Sequence, residues 1–275
     1  MQRFRPGFPE DLPLKEALRD LWNHRADWPP KAALLPFARD SLGISPENEN
    51  NWYLAAWWGF HACRLLAWCR SNRGKEELFG LLEPADWTPL DRALEAGKGV
   101  ILAASHLGPG FLPGMAVKHA GYSTLEISGA EGGKDIISTH SDENRKQSLA
   151  KALLHLRRNN VIVAAPDGRV GNRHYSVHFL HQDVRIYTGI GELARLSGAM
   201  TCWISASWTG PDRVRLHISP MEAPEGHGDE WMKQWYLAYL HQLARQIRNS
   251  PADLGFRFGL WRTGAGGLRW YTPQL

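Results

Sequence analysis

The chain reads as an α/β fold: a mixed, largely parallel central sheet flanked by helices, with an N-terminal helical region ahead of it. Three patterns predict this. The apolar runs at residues 99–105 and 161–165 are too short for ordinary helices and rich in strand formers, and they stop at turns of glycine, proline and charge. Stretches with apolar residues at helical spacing, such as residues 147–158, lie between such runs. Residues 213–220 alternate instead, with Val214, Leu216 and Ile218 on one face, as a strand with one buried side does. At 275 residues and 43% hydrophobic content the chain can bury a sizeable core. The expected division is a helical region over residues 1–84 and an α/β domain over residues 85–275.

Taken in order, residues 14–40 are helical in pieces broken at Pro29-Pro30, and residues 41–51 form a polar loop. Residues 52–69 make a helix that is apolar almost all round, which fits burial better than a place at a lipid interface. With His61 and Arg64 inside and barely enough length, it is a poor membrane span. Thr88-Pro89-Leu90-Asp91 supplies a capping hydroxyl, a first-turn proline and an acid, and the helix it opens stops at Gly97. The strand that follows delivers His106 to a Gly-Pro turn.

Residues 112–120 form a short helix, residues 122–128 a strand, and residues 129–142 a polar, glycine-rich loop over a site. Leu149, Ala152, Leu153 and Leu156 share a helix face closed by Asn159-Asn160. The next strand, residues 161–165, runs into Pro166-Asp167-Gly168-Arg169. Beyond a weak strand at residues 184–187 come a helix at 189–197 stopped by Gly198, a strand at 200–208 and a turn at 209–212. Asp229 caps a last long helix that reaches about Arg248 and ends before Pro251.

Charge and composition narrow the function. A net charge of +4 with scattered Lys and Arg suits acidic partners, and no nucleic-acid motif is present. Thirteen tryptophans suit aromatic cores or an interfacial belt. Three cysteines without a C-x-x-C pair read as reduced thiols, and the first residues lack an apolar leader, so a cytoplasmic place is expected. Gly189-Ile190-Gly191-Glu192-Leu193-Ala194 satisfies G-x-G-x-x-A with Asp212 near the ribose-acid spacing, but it comes late for a dinucleotide site. His174 and His178 would share a strand face while His181 points away, which spoils a compact metal site. Neither a G-x-S-x-G elbow nor a P-loop occurs.

In open α/β sheets ligands gather at the carboxyl ends of strands, so His106 and Asp167/Arg169 are the candidates to face one pocket. The order Gly97-Lys98-Gly99-Val100-Ile101-Leu102, Ser105-His106-Leu107-Gly108, residues 153–158, Pro166-Asp167-Gly168-Arg169, Val177-His178-Phe179, Thr188-Gly189 and residues 193–199 resembles the lysophospholipid acyltransferase superfamily. In particular it resembles the branch of bacterial lipid A late acyltransferases, over roughly residues 85–262.

The resemblance implies transfer of a fatty acyl group from an acyl carrier protein or coenzyme A thioester to the hydroxyl or amine of a small-molecule or lipid acceptor, with no metal or cofactor. His106 would be the general base. The family's H-x4-D/E acid falls on Phe111, so Asp167, Glu126 or Glu131 would have to stand in for it. The resemblance makes His106 and Asp167 the catalytic residues and Arg169, Gly168, Ser105 and Phe111 the substrate-binding ones. It implies a cytoplasmic enzyme, with at most peripheral contact at the inner face of the membrane. The alternative is a degenerate member that binds acyl chains or a protein partner.

Overall fold

The computed structural model describes residues 12–27, 35–128, 136–138, 142–168, 173–254, 261–264 and 267–270. Among these, five helices precede the first strand: α1 (Leu14–Asn23), α2 (Leu35–Leu42), α3 (Glu49–Asn72), α4 (Lys75–Phe79) and α5 (Thr88–Glu95). Then follow β1 (Val100–Ala103), α6 (Leu112–His119), β2 (Thr124–Ser128), β3 (Ile136–Ser138), α7 (Asp142–Arg157) and β4 (Val161–Ala164). The remainder is β5 (His174–Phe179), β6 (Gln182–Tyr187), α8 (Gly189–Ser197), β7 (Met200–Gly210), β8 (Arg213–Pro220), α9 (Gly228–Asn249), β9 (Trp261–Gly264) and β10 (Gly267–Trp270).

Six strands make the central sheet in the order β3-β2-β4-β1-β7-β8, parallel throughout except for β8. Every residue of β1 and β4 is buried, because helices cover both faces. Alternation decides which face each side chain enters. Val100, Leu102, Val161, Val163, Cys202 and Ile204 pack with Leu90 and Ala93 of α5 and Val117 of α6. Ile101, Ala103, Ile162, Ala164 and Trp203 pack on the other face with α2, α3, α7, α8 and α9.

The all-round apolarity of α3 has a structural cause, since the helix is buried on two sides. Trp52, Tyr53 and Ala56 join the core beneath the sheet. Trp58, Ala62, Leu65, Leu66 and Cys69 join Leu14 and Leu18 of α1 and Val214 and Leu216 of β8 in another cluster. Among the described residues no helix is long and apolar enough to cross a membrane. Where α3 crosses the 3-10 turn Pro251–Asp253, a Cβ on Gly59 would lie 1.8 Å from the carbonyl oxygen of Ala252, so only glycine allows this approach.

Several sequence expectations are corrected in detail. Residues 129–142 are not all loop, for they hold the edge strand β3, whose two isoleucines are too few to show a period. The polar loop at residues 41–51 is shorter than its composition suggests. Glu49, Asn50 and Asn51 form the first turn of α3, where Glu49 accepts from Arg39 Nη2 at 2.7 Å. Thr88 does not cap α5; its own N–H donates to Asp86 Oδ1 at 3.0 Å. Asp229 lies inside the first turn of α9 and binds Arg173 Nη2 at 2.6 Å rather than capping the helix. Leu149 is exposed, while Ala152 and Leu156 carry the inward face of α7.

Candidate active site

Parallel pairing sets the site. Ala103 of β1 is the register partner of Ala164 of β4. His106 and Asp167 each stand three residues beyond that pair, so both strands deliver their polar residue to the same sheet edge. Asp167 Oδ1 lies 3.0 Å from His106 Nδ1, and Oδ2 accepts the main-chain N–H of His106 at 3.1 Å. The carboxylate thus grips both ring and backbone. A carboxylate only accepts, so Nδ1 carries the ring proton and Nε2 the lone pair. Asp167 is fully buried, whereas 36% of the His106 side chain faces outward. One nitrogen is anchored in the protein while part of the ring meets the exterior.

The turn that carries His106 is fixed from below. Ser105 Oγ donates to Gln246 Oε1 at 3.1 Å and accepts the Leu107 N–H at 3.3 Å. Gly108 donates its N–H to the main-chain oxygen of Asp253 at 2.5 Å. It adopts φ +56°, with the carbonyl of Ala206 2.6 Å from where a Cβ would be, so a side chain is doubly excluded. The Asp253 carboxylate, fully buried, accepts from Gln246 Nε2 at 2.9 Å and from the Trp208 N–H at 3.1 Å. Burial pushes its pKa upward against those hydrogen bonds. Tyr239, also fully buried, donates its hydroxyl to Ala104 O at 2.9 Å.

The remaining sequence candidates separate. Gly168 closes the turn after β4 with an N–H to Ala165 O at 3.0 Å, and a Cβ there would come within 3.6 Å of His106 Cε1. Ser105 is buried, its hydroxyl engaged inside the turn. Phe111 packs at the edge of the cluster built by α1 and α3, with the Arg70 guanidinium 5.1 Å from its ring centre. Of the acids open as substitutes, Asp167 is the one that the described residues place on the imidazole. Glu126 lies over Gly114 of α6, 3.6 Å from Lys118 Nζ. Arg169 and Glu131 lie outside the described residues.

The other motifs take structural places. The G-x-G-x-x-A stretch opens α8 after the antiparallel β5–β6 hairpin, not after a parallel strand, and the Gly191 N–H donates to Tyr236 Oη at 3.0 Å. Asp212 is held by Arg19 of α1 at 2.5 Å. His178 pairs with Asp183 at 3.1 Å on the outer side of the hairpin, its ring 6.5 Å from that of His181. No group of three or more His, Cys, Asp or Glu side chains converges on a metal position among the described residues.

Trp52, Trp58, Trp203, Trp208 and Trp235 fill the core. Two hollows open elsewhere. One of about 680 Å³ is lined by Leu14, Arg73 and Glu77, and one of about 470 Å³ at the start of β7 is lined by Met200, Met221 and Trp231.

Sequence reasoning missed Tyr239, Gln246 and Asp253. A signal for the first two was present, since Met232, Trp235, Tyr236, Tyr239, Leu240, Leu243, Gln246 and Ile247 form one buried helical face. A glutamine at an inward position of such a face needs a buried polar partner. No protein-family model matches the chain, and no curated protein matches its sequence.

Proposed function

We propose that the protein is an acyltransferase that moves a fatty acyl group from an acyl carrier protein or coenzyme A thioester to a hydroxyl or amine, with His106 as general base. The observation that carries this reading is the Asp167 carboxylate on His106 Nδ1 at 3.0 Å. It supplies the acid that the resemblance requires and that Phe111 cannot be. Nε2 takes the acceptor's proton as its oxygen or nitrogen attacks the thioester carbonyl. The tetrahedral species then collapses, and the imidazolium returns that proton to the departing thiolate. Asp167 holds the tautomer and stabilises the imidazolium, as the acid of a Ser-His-Asp triad does. Arg169, by resemblance, binds the acceptor, for which a planar guanidinium suits a phosphate or carboxylate. The enzyme works in the cytoplasm, at most peripherally on the inner face of the membrane. It is then recovered by salt or carbonate washing of membranes, and recovery only in detergent contradicts this.

The test is acyl transfer by purified protein, read by mass spectrometry across acyl carrier protein and coenzyme A thioesters. His106→Gln lowers kcat by about 10²- to 10⁴-fold with thioester binding little changed. In the same assay Arg169→Ala raises the acceptor KM. Wild-type turnover in His106→Gln overturns the assignment. Phe111 at the family's acid position favours a second reading, an inactive member that binds acyl chains or a protein partner. In that case thioesters bind without turnover.

A further inference from the structure

Helix α9 closes the turn that carries His106 into a circuit of hydrogen bonds. Leu107 donates its N–H to Ser105 Oγ at 3.3 Å, and the Ser105 hydroxyl donates to Gln246 Oε1 at 3.1 Å. The other end of that amide, Nε2, donates to Asp253 Oδ2 at 2.9 Å, and the main-chain oxygen of Asp253 accepts the Gly108 N–H at 2.5 Å. From Gly108 the chain leads directly back to Leu107. A carboxylate only accepts, so Nε2 faces Asp253, Oε1 faces Ser105, and the hydroxyl between them donates. The place calls for an acceptor and a donor on one side chain, which an amide has and an apolar residue of similar volume lacks. Ser105, Gln246 and Asp253 are all buried, so a bond removed here is not replaced by one to bulk water.

His106 sits between two members of the circuit, Ser105 and Leu107. Its own main-chain N–H, which Asp167 Oδ2 accepts at 3.1 Å, therefore takes its direction from the circuit. The imidazole is tied to the same carboxylate, with Nδ1 3.0 Å from Oδ1, so a rotated peptide at position 106 also turns the imidazole.

We propose that Gln246 is a positioning residue for His106. Its amide, acting through Ser105, fixes the main chain on both sides of the histidine and so the angle at which the imidazole meets Asp167. The inference rests on the proposed role of His106 as general base. It gives Ser105 a different task from the substrate contact that the resemblance implies, because the hydroxyl proton and a lone pair are both engaged inside the protein. Truncating a substrate-binding serine raises KM, whereas truncating a positioning one lowers kcat and leaves KM alone.

The experiment compares wild type, Ser105→Ala, Gln246→Met and the double variant in the full chain, well below their melting temperatures. Hydrogen exchange of the His106 N–H is followed by nuclear magnetic resonance, which needs no turnover. The Gly191 N–H, held by Tyr236 Oη of the same helix α9 at 3.0 Å, is the internal reference. Each single variant speeds exchange at His106 about tenfold, roughly the worth of one hydrogen bond, and leaves Gly191 as it was. The double variant exchanges no faster than the faster single, since either change opens the circuit. In the acyl-transfer assay the same variants lower kcat about tenfold with the thioester and acceptor KM unchanged. Wild-type exchange at His106 in both singles overturns the inference. So does an equal rise at Gly191, or a Ser105→Ala protein that raises the acceptor KM at wild-type kcat. If Gln246→Met does not fold, Ser105→Ala decides by the same readings. Wild-type turnover in His106→Gln removes the base and with it the task of Gln246, whereas unchanged exchange removes the task of Gln246 alone.

Discussion

Two carboxylates are fully buried within a few residues of one turn, and each is held by a different balance. Asp167 is gripped by the ring and the main-chain N–H of His106. Asp253 faces only neutral donors, among them the Trp208 N–H and the Gln246 amide. Its desolvation is therefore uncompensated by an opposite charge, and its pKa rises above the ordinary 3.8. A carboxyl whose folded pKa is raised stabilises the fold fully below the unfolded value and loses that contribution as pH climbs through the folded one. Urea unfolding of wild type and Asp253→Asn at pH 4 and pH 7 measures this. The wild type loses stability relative to the variant on going to pH 7, and a pH-independent difference between the two contradicts the reading.

At this scale His106 and Asp167 were legible, because each ends an apolar strand. Asp167 could be only one of three candidate acids until the β1–β4 register brought it to the ring. Tyr239 was not legible as a site residue, since in the sequence it is one more inward aromatic on a long helix.

Among the elements, α3 is apolar almost all round, which its sequence reads as burial, and the second cluster built with α1 and β8 shows what covers the side turned away from the sheet core. Glycine inside a helix ordinarily costs about 1 kcal/mol against alanine, so Gly59→Ala would stabilise an isolated α3. Here the added Cβ meets the Ala252 carbonyl at 1.8 Å and forces the 3-10 turn outward. Overpacking of this kind costs roughly 1–3 kcal/mol, which in a chain of this size lowers Tm by about 2–12 °C. The displaced turn also carries the Asp253 groups that hold Gly108 and Trp208, so the proposed acyl transfer is expected to fall as well. A thermal melt at or above wild type rules this packing out.

Elements with an unbroken apolar run, such as β1 and β4, or with a full period, such as α8 and β8, were legible from the chain alone. The three-residue β3 and the N-terminal capping of α5 and α9 were not. The first is too short to show periodicity, and capping depends on which neighbour reaches an N–H first, as Asp86 does at Thr88.

For the molecule as a whole, the parallel sheet does what a contiguous motif does elsewhere. Two strands adjacent in space but 61 positions apart in sequence end at one edge, and the acid reaches the histidine through their register. The fold class was legible because helix and strand periods alternate. The partnership was not, since it requires β1 to lie beside β4 rather than beside β2, which follows it in the chain.

The central claim is that His106 and Asp167 act as one unit, and a double-mutant cycle on acyl-transfer kcat tests it most directly. Groups that act together are strongly non-additive when removed, and losing the acid behind a catalytic histidine costs about 10⁴-fold in a Ser-His-Asp triad. Asp167→Asn is expected to lower kcat by about 10³- to 10⁴-fold with the melt near wild type. The double variant, with His106→Gln, should be no slower than the worse single. Wild-type turnover in Asp167→Asn, or losses that multiply in the double variant, would contradict the account.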